Sequence, residues 1–144
     1  MTGYHVGPNQ GESVDLGNVS MRLVLPSTET NGTFTAAEFR GGPGVWTILH
    51  IHQNMEESFF VTEGSFTFTC GNERIEAAPG SLVLIPRGTP HMIEAGVDGG
   101  TILTLFVPGG LEEMFRELGG LPPGSLTDPR VRAEIAKRHD AIPV

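Results

Sequence analysis

Glycine and proline punctuate this chain so densely that no long helix fits before residue 107. The 144 residues include 20 glycines and 11 prolines. They cut the sequence into short runs, namely Met21–Leu25, Phe34–Phe39, Val45–Ile51, Ser58–Val61, Phe66–Thr69, Ser81–Ile85, His91–Glu94 and Thr101–Val107. The runs are rich in Val, Ile, Phe and Thr, whose branched or aromatic side chains suit a pleated surface. Between them lie Asn31-Gly32, Gly41-Gly42-Pro43-Gly44, Glu63-Gly64, Gly71-Asn72, Pro79-Gly80, Pro86-Arg87-Gly88 and Asp98-Gly99-Gly100. Gly and Asn tolerate positive φ and Pro fixes φ near −65°, so each reads as a turn. About eight short strands at 8–12-residue spacing predict an all-β sandwich or barrel.

The period changes after Val107. Leu111, Met114, Phe115 and Leu118 recur at helical spacing, with Glu112 and Glu113 in the first turn and Gly119-Gly120 as a stop. Leu121-Pro122-Pro123-Gly124 reads as a loop. A second helix is expected from an Asp128 cap and Pro129, ending on Lys137, Arg138 and His139, cations placed at the negative end of its dipole. The expectation is one domain over 1–144, a barrel at about 19–107 with a helical tail at about 110–140.

Charge and composition exclude several roles. With 17 acids against 9 bases the net charge is −8, which repels polyphosphate, so no nucleic-acid partner is expected. No apolar run approaches the roughly 18 residues that a membrane helix needs, so no membrane partner is expected either. The N-terminal residues lack the basic-then-apolar pattern of a secretion signal. The single cysteine, Cys70, has no partner for an internal disulfide, and a reducing cytoplasm is the expected location.

Gly44 to Gly64 carries the chemistry. Residues two apart on a strand share a face, so His50 and His52 project together, with Trp46 and Ile48 beside them. Paired imidazoles against an apolar wall are half of a transition-metal site. Glu57 follows at the start of the next strand as a third ligand, and His91, after the turn Pro86-Arg87-Gly88, offers a fourth. Alternation turns Glu56 and Glu57 to opposite faces, so only one of them faces the metal. Trp46, Ile48 and Phe59 share register with these residues and form the expected pocket wall.

These two stretches resemble the paired motifs of the cupin superfamily. The first runs from a Gly through His-x-His and Glu to a second Gly, matched by Gly44, His50, His52, Glu57 and Gly64. The second runs from a Gly through Pro-x-Gly to His, matched by Gly80, Pro86, Gly88 and His91. Its usual final Asn is Ala95 here, a departure at a residue that is not a ligand in cupins. The resemblance implies a cupin-type β-barrel, jelly-roll-like, and a small bacterial cupin of quercetin dioxygenase-like type. It implies one divalent transition metal (Fe, Mn, Ni, Co, Cu or Zn) on His50, His52, Glu57 and His91. It also implies a homodimer.

The function so implied is a metal-dependent dioxygenase acting with O₂ on an aromatic, polyketide-like or enolisable small molecule. Glu57 would double as the catalytic base, provided that its pKa is raised toward neutrality. A non-redox isomerase, cyclase or decarboxylase on the same site, or a binding module without turnover, are the alternatives. The stripe of Leu111, Met114, Phe115 and Leu118 must be buried on the barrel's outside, over its mouth or in a dimer. As a lid hinged at Pro108-Gly109-Gly110, it would set Met114 or Phe115 against substrate.

Overall fold

Two long strands carry the architecture. The computed structural model describes residues 3–144. Its strands are β1 (Ser13–Asp15), β2 (Val19–Leu25), β3 (Thr35–Gly41), β4 (Gly44–Ile51), β5 (Glu56–Cys70), β6 (Glu73–Ala77), β7 (Leu82–Ile85), β8 (His91–Val107) and β9 (Ile142–Pro143). The helices are α1 (Glu112–Gly119), α2 (Pro123–Leu126) and α3 (Pro129–Arg138). β5 and β8 run antiparallel along their whole length, from Glu56 opposite Val107 to Cys70 opposite His91.

Neither long strand is broken where the sequence predicts a turn. Glu63-Gly64 and Asp98-Gly99-Gly100 lie inside β5 and β8 and bend them, with the register slipping between Gly64 and Phe66. The positive-φ signature of a turn is equally that of a bulge. Gly64 sits at φ 74°, and a Cβ there would stand 2.0 Å from the Gly99 carbonyl oxygen. Only glycine permits that approach.

The bend gives each long strand two sets of neighbours. The second half of β8 pairs with β3 and the first half with β4. The first half of β5 pairs with β7 and the second with β6. One nine-stranded sheet therefore folds onto itself as two faces, β1-β2-β3-β8-β5-β7 over β9-β4-β8-β5-β6. This is the cupin architecture expected from the sequence, with β1, β6 and β9 added to the runs read there. Phe59, Val61, Phe66, Phe68, Ile85, Ile93 and Ile102 fill one end between the faces.

The helical tail fills the other end. Leu111, Met114 and Leu118 are buried among Met21, Leu23, Ala37 and Phe106. At roughly 1.5–3 kcal/mol for each large apolar side chain, burying those three contributes on the order of 5–8 kcal/mol. An eight-residue helix has no comparable stability of its own. The stripe thus packs on the inward faces of β2, β3 and β8, not on the outer sheet.

The expected hinge is fastened. Gly109 N donates to Gly32 O at 2.9 Å, and Gly110 N donates to the Thr35 hydroxyl at 3.0 Å. Glu112, wholly buried, accepts from Ser27 N and Oγ at 2.7 Å each and from Thr35 Oγ1 at 2.6 Å. Burial alone would raise its pKa, and these three donors lower it instead. α1 is accordingly a fixed wall. Pro123 and Gly124 of the expected loop close with Ser125 and Leu126 into the single turn α2. Asp128 caps α3 as expected, accepting from Arg130 N at 2.9 Å. Among the described residues no helix is long and apolar enough to cross a membrane.

Candidate metal centre and its cavity

β4 is irregular where it carries the first two histidines. Its pairing with β8 slips between Val45 and Thr47 and again before His50. The Thr47 hydroxyl accepts Ile93 N at 3.0 Å, satisfying a donor that the slip frees. Strict alternation fails as a result. Val45 and Thr47 line the same cavity as Trp46, Ile48, His50 and His52. His52 lies just past the strand, His91 opens β8, and Glu57 is the second residue of β5.

The four side chains converge, with one ligand atom from each within 4.8 Å of all the others. His52, Glu57 and His91 are buried. Each imidazole is oriented from behind by a backbone carbonyl. His50 Nδ1 lies 2.7 Å from Ile48 O, His91 Nδ1 2.9 Å from Thr89 O, and His52 Nδ1 2.9 Å from Asp140 O. A carbonyl only accepts, so each Nδ1 carries a proton and each Nε2 is left for the centre. Glu57 Oε1 lies 2.6 Å from His52 Nε2 and 3.1 Å from His91 Nε2. Glu56 points away and pairs with Arg87 at 2.5 Å.

The electrostatics follow from burial and these contacts. Burial, with His91 beside it, lowers His50 to about 4, so it is neutral at physiological pH. Burial also disfavours a charged His52, but the Glu57 carboxylate against its Nε2 more than offsets this, and its pKa is raised. Burial would raise Glu57, yet hydrogen bonds from His52 and His91 bring it down to about 2. The expected shift of Glu57 toward neutrality is therefore reversed. In this arrangement Glu57 is an anion, fit to ligate a cation and poorly basic. Three nitrogens and one carboxylate, preset in tautomer and pointing, fit a divalent transition ion of the His-and-carboxylate class.

A cavity of about 490 Å³ opens on His50, His52 and Glu57. Trp46, Ile48 and Phe59 line it, as do Met114 and Phe115 from α1. Trp46 is held by its Nε1 donating to Gly42 O at 2.8 Å and by edge packing on Phe66. Ile48 is 62% exposed and marks the rim. Phe115 packs on Phe39 and Phe106 with ring centroids 5.1 and 6.1 Å away.

Three residues of this site are absent from the sequence reading. Thr104 lies wholly buried behind the cavity wall, and among the described residues its hydroxyl has no hydrogen-bond partner. Arg132 lines the cavity with Ala133 and Ala136. Asp140 sits at φ 63°, where its carbonyl orients His52 and its carboxylate accepts Gln53 N at 2.9 Å and Asn54 N at 2.8 Å. The isolated cap-like Asp after a helix is the only sequence signal for it.

Comparison with known proteins agrees with this geometry. Residues 38–107 match the family described as the Cupin domain. Quercetin 2,3-dioxygenase of Bacillus subtilis is 27% identical over 116 residues, covering 81% of this chain and 34% of that protein. An uncharacterized protein of Methanocaldococcus jannaschii is 33% identical over 78 residues, covering 54% of this chain and 62% of that one. The chain thus spans about a third of the first relative and under two thirds of the second. A solved RmlC-like cupin from Shewanella frigidimarina superposes with a TM-score of 0.65 at 17% identity, over 78% of this chain and 96% of that one.

Proposed function

We propose that this chain, a small cupin by its matched domain and its fold, is a metal-dependent dioxygenase of quercetinase type. Its substrate would be an aromatic, polyketide-like or enolisable small molecule. The observation that carries the reading is a three-histidine, one-glutamate cluster opening directly on an apolar cavity of about 490 Å³. The likeness to quercetin 2,3-dioxygenase supports it.

His50, His52, Glu57 and His91 would hold one divalent ion (Fe, Mn, Ni, Co, Cu or Zn). Such an ion supplies Lewis acidity toward a substrate oxygen and a place for O₂ to be activated. The chain's own residues do the rest. Trp46, Phe59, Met114 and Phe115 offer flat and flexible apolar surface to a ring and exclude water from it. Glu57 first serves as a ligand. As proton acceptor from a substrate hydroxyl it must give up the hydrogen bonds that hold it at about 2.

Phe60 pairs with Leu82 across β5 and β7, and Leu84 and Leu105 flank Ser58 in the same face. Phe60, Leu82, Leu84 and Leu105 are all exposed, and a homodimer covering this patch belongs to the proposal. The one thiol, Cys70, whose pKa burial pushes up, fits a cytoplasmic location.

The test is metal analysis of protein from its native host, followed by oxygen-electrode assays with flavonols and β-diketones. Oxygen uptake that stops when His50 and His52 are both replaced by Ala is the expected result. Turnover without oxygen uptake would move the assignment to a non-redox isomerase or decarboxylase. No turnover of any enolisable substrate by metal-loaded protein would leave a binding module.

A further inference from the structure

Helix α3 turns one face into the cavity. Pro129, Arg132, Ala133 and Ala136 all line it, and their spacing sets them on one side of the helix. The two alanines and the proline roof the cavity without filling it. Val131 and Ile135, round the helix, anchor it in the apolar cluster around Leu111 and Leu118. One residue of the roof is therefore neither small nor apolar.

Arg132 is unlike the other arginines of this acidic chain. Arg22, Arg40, Arg74, Arg87, Arg116, Arg130 and Arg138 each have a carboxylate within 4.0 Å. Among the described residues Arg132 has none, and its one hydrogen bond runs from Nη1 to Leu126 O at 3.1 Å. A guanidinium has five N–H donors, so its fork is largely unspent. One polar group, its donors largely unspent, therefore stands on the wall of an otherwise apolar space.

We propose that the cavity takes an apolar, ring-bearing small molecule carrying one carboxylate, and that Arg132 receives the carboxylate. Arg132 is then the residue that selects charged over neutral ligands. A planar guanidinium matches a carboxylate with two parallel hydrogen bonds, which a neutral amide cannot reproduce. The proposal rests on reading this cavity as the substrate site, and it makes no use of oxygen chemistry.

The probes are 3-phenylpropanoate and its neutral near-isostere 3-phenylpropanamide, titrated into zinc-loaded protein. The chain's single tryptophan, Trp46, lines the cavity, so its fluorescence reports occupancy. Wild type is expected to bind the carboxylate about tenfold tighter than the amide, or more. Arg132→Gln is expected to bring that ratio near one while amide affinity holds, which also shows an intact cavity. Arg132→Lys, which keeps charge without the fork, is expected to retain part of the preference and covers a glutamine variant that fails to fold. Equal binding of the two probes by wild type, or no binding of either, overturns the proposal. So does a carboxylate preference that survives in Arg132→Gln, because the anion is then held by the metal centre. Loss of oxygen uptake in the earlier assay would leave this result untouched.

Discussion

Replacing Asp140 by glycine separates the positioning of His52 from the strain of the backbone around it. The substitution removes two hydrogen bonds from backbone N–H groups to the carboxylate, at 2.9 and 2.8 Å. Bonds to a charged group are worth about 1.5–3 kcal/mol each, and partial exposure of Asp140 puts these at the low end, about 2–3 kcal/mol together. Glycine returns roughly 1 kcal/mol, because φ 63° costs it nothing. The net loss is about 1–2 kcal/mol, a melting shift of about 3–7 °C at this chain length. The larger effect falls on the metal. Once the loop is unfastened, the carbonyl that orients His52 is no longer held, and loss of such a partner costs about 10–100-fold in affinity. Thermal melts by circular dichroism give the first quantity, and zinc competition against a chromophoric chelator gives the second. A variant that loses stability yet binds zinc within about threefold of wild type would refute the positioning argument.

Glu57→Gln keeps an oxygen ligand but no proton acceptor. Turnover should fall by about 10²-fold or more while metal content falls far less, and activity within about threefold of wild type would remove Glu57 as base. The raised pKa of His52 means that a proton competes for the nitrogen a metal needs. Apparent zinc affinity should rise about tenfold per pH unit up to that pKa and then flatten, and a flat profile from pH 5 to 8 would contradict it. In metal-free protein Glu57, held at about 2 against an ordinary 4.5, stabilises the fold above pH 4.5. That stability should drain as pH falls from 4.5 toward 2, read as a falling melting temperature. Phe115→Ala should raise KM severalfold at a cost of about 2 kcal/mol. Lost stability with unchanged KM would leave Phe115 a packing residue only. Gly64→Ala places a Cβ 2.0 Å from Gly99 O and should cost more than about 3 kcal/mol, and a near wild-type melt would refute the bend.

The metal cluster was legible because its signal is local. His50 and His52 are neighbours on one strand, and the turn before His91 announces itself in Pro86 and Gly88. The bends were not, since Gly64 and Gly99 at positive φ look the same whether a strand ends there or kinks. β6 was missed because Glu73–Ala77 is short, polar and at an edge. Asp140 reaches His52 across 88 residues, and nothing in its neighbours specifies that contact. Arg132 carries no signal of its own in a helix that also holds Arg130, Lys137 and Arg138. Only the packing of Val131 and Ile135 decides which way that helix faces. The pKa of Glu57 was misjudged for a related reason. Burial was foreseeable, whereas two imidazoles aimed at one oxygen are a fact of three dimensions.

The bend in β5 and β8 also divides the ligands between the two faces. Glu57 stands opposite Phe106 and Ile85 in one face, while His50 pairs with His91 in the other. A cation gripped by all four is a rivet through both leaves of the barrel. Breathing motions that part the leaves must first stretch coordinate bonds, so amide exchange along β7 and β6, which touch the rest of the sheet only through β5, should slow together when the ion is bound. The grip on the ion and the tightness of the barrel mouth are then one mechanical variable, and a substitution that slackens either slackens both.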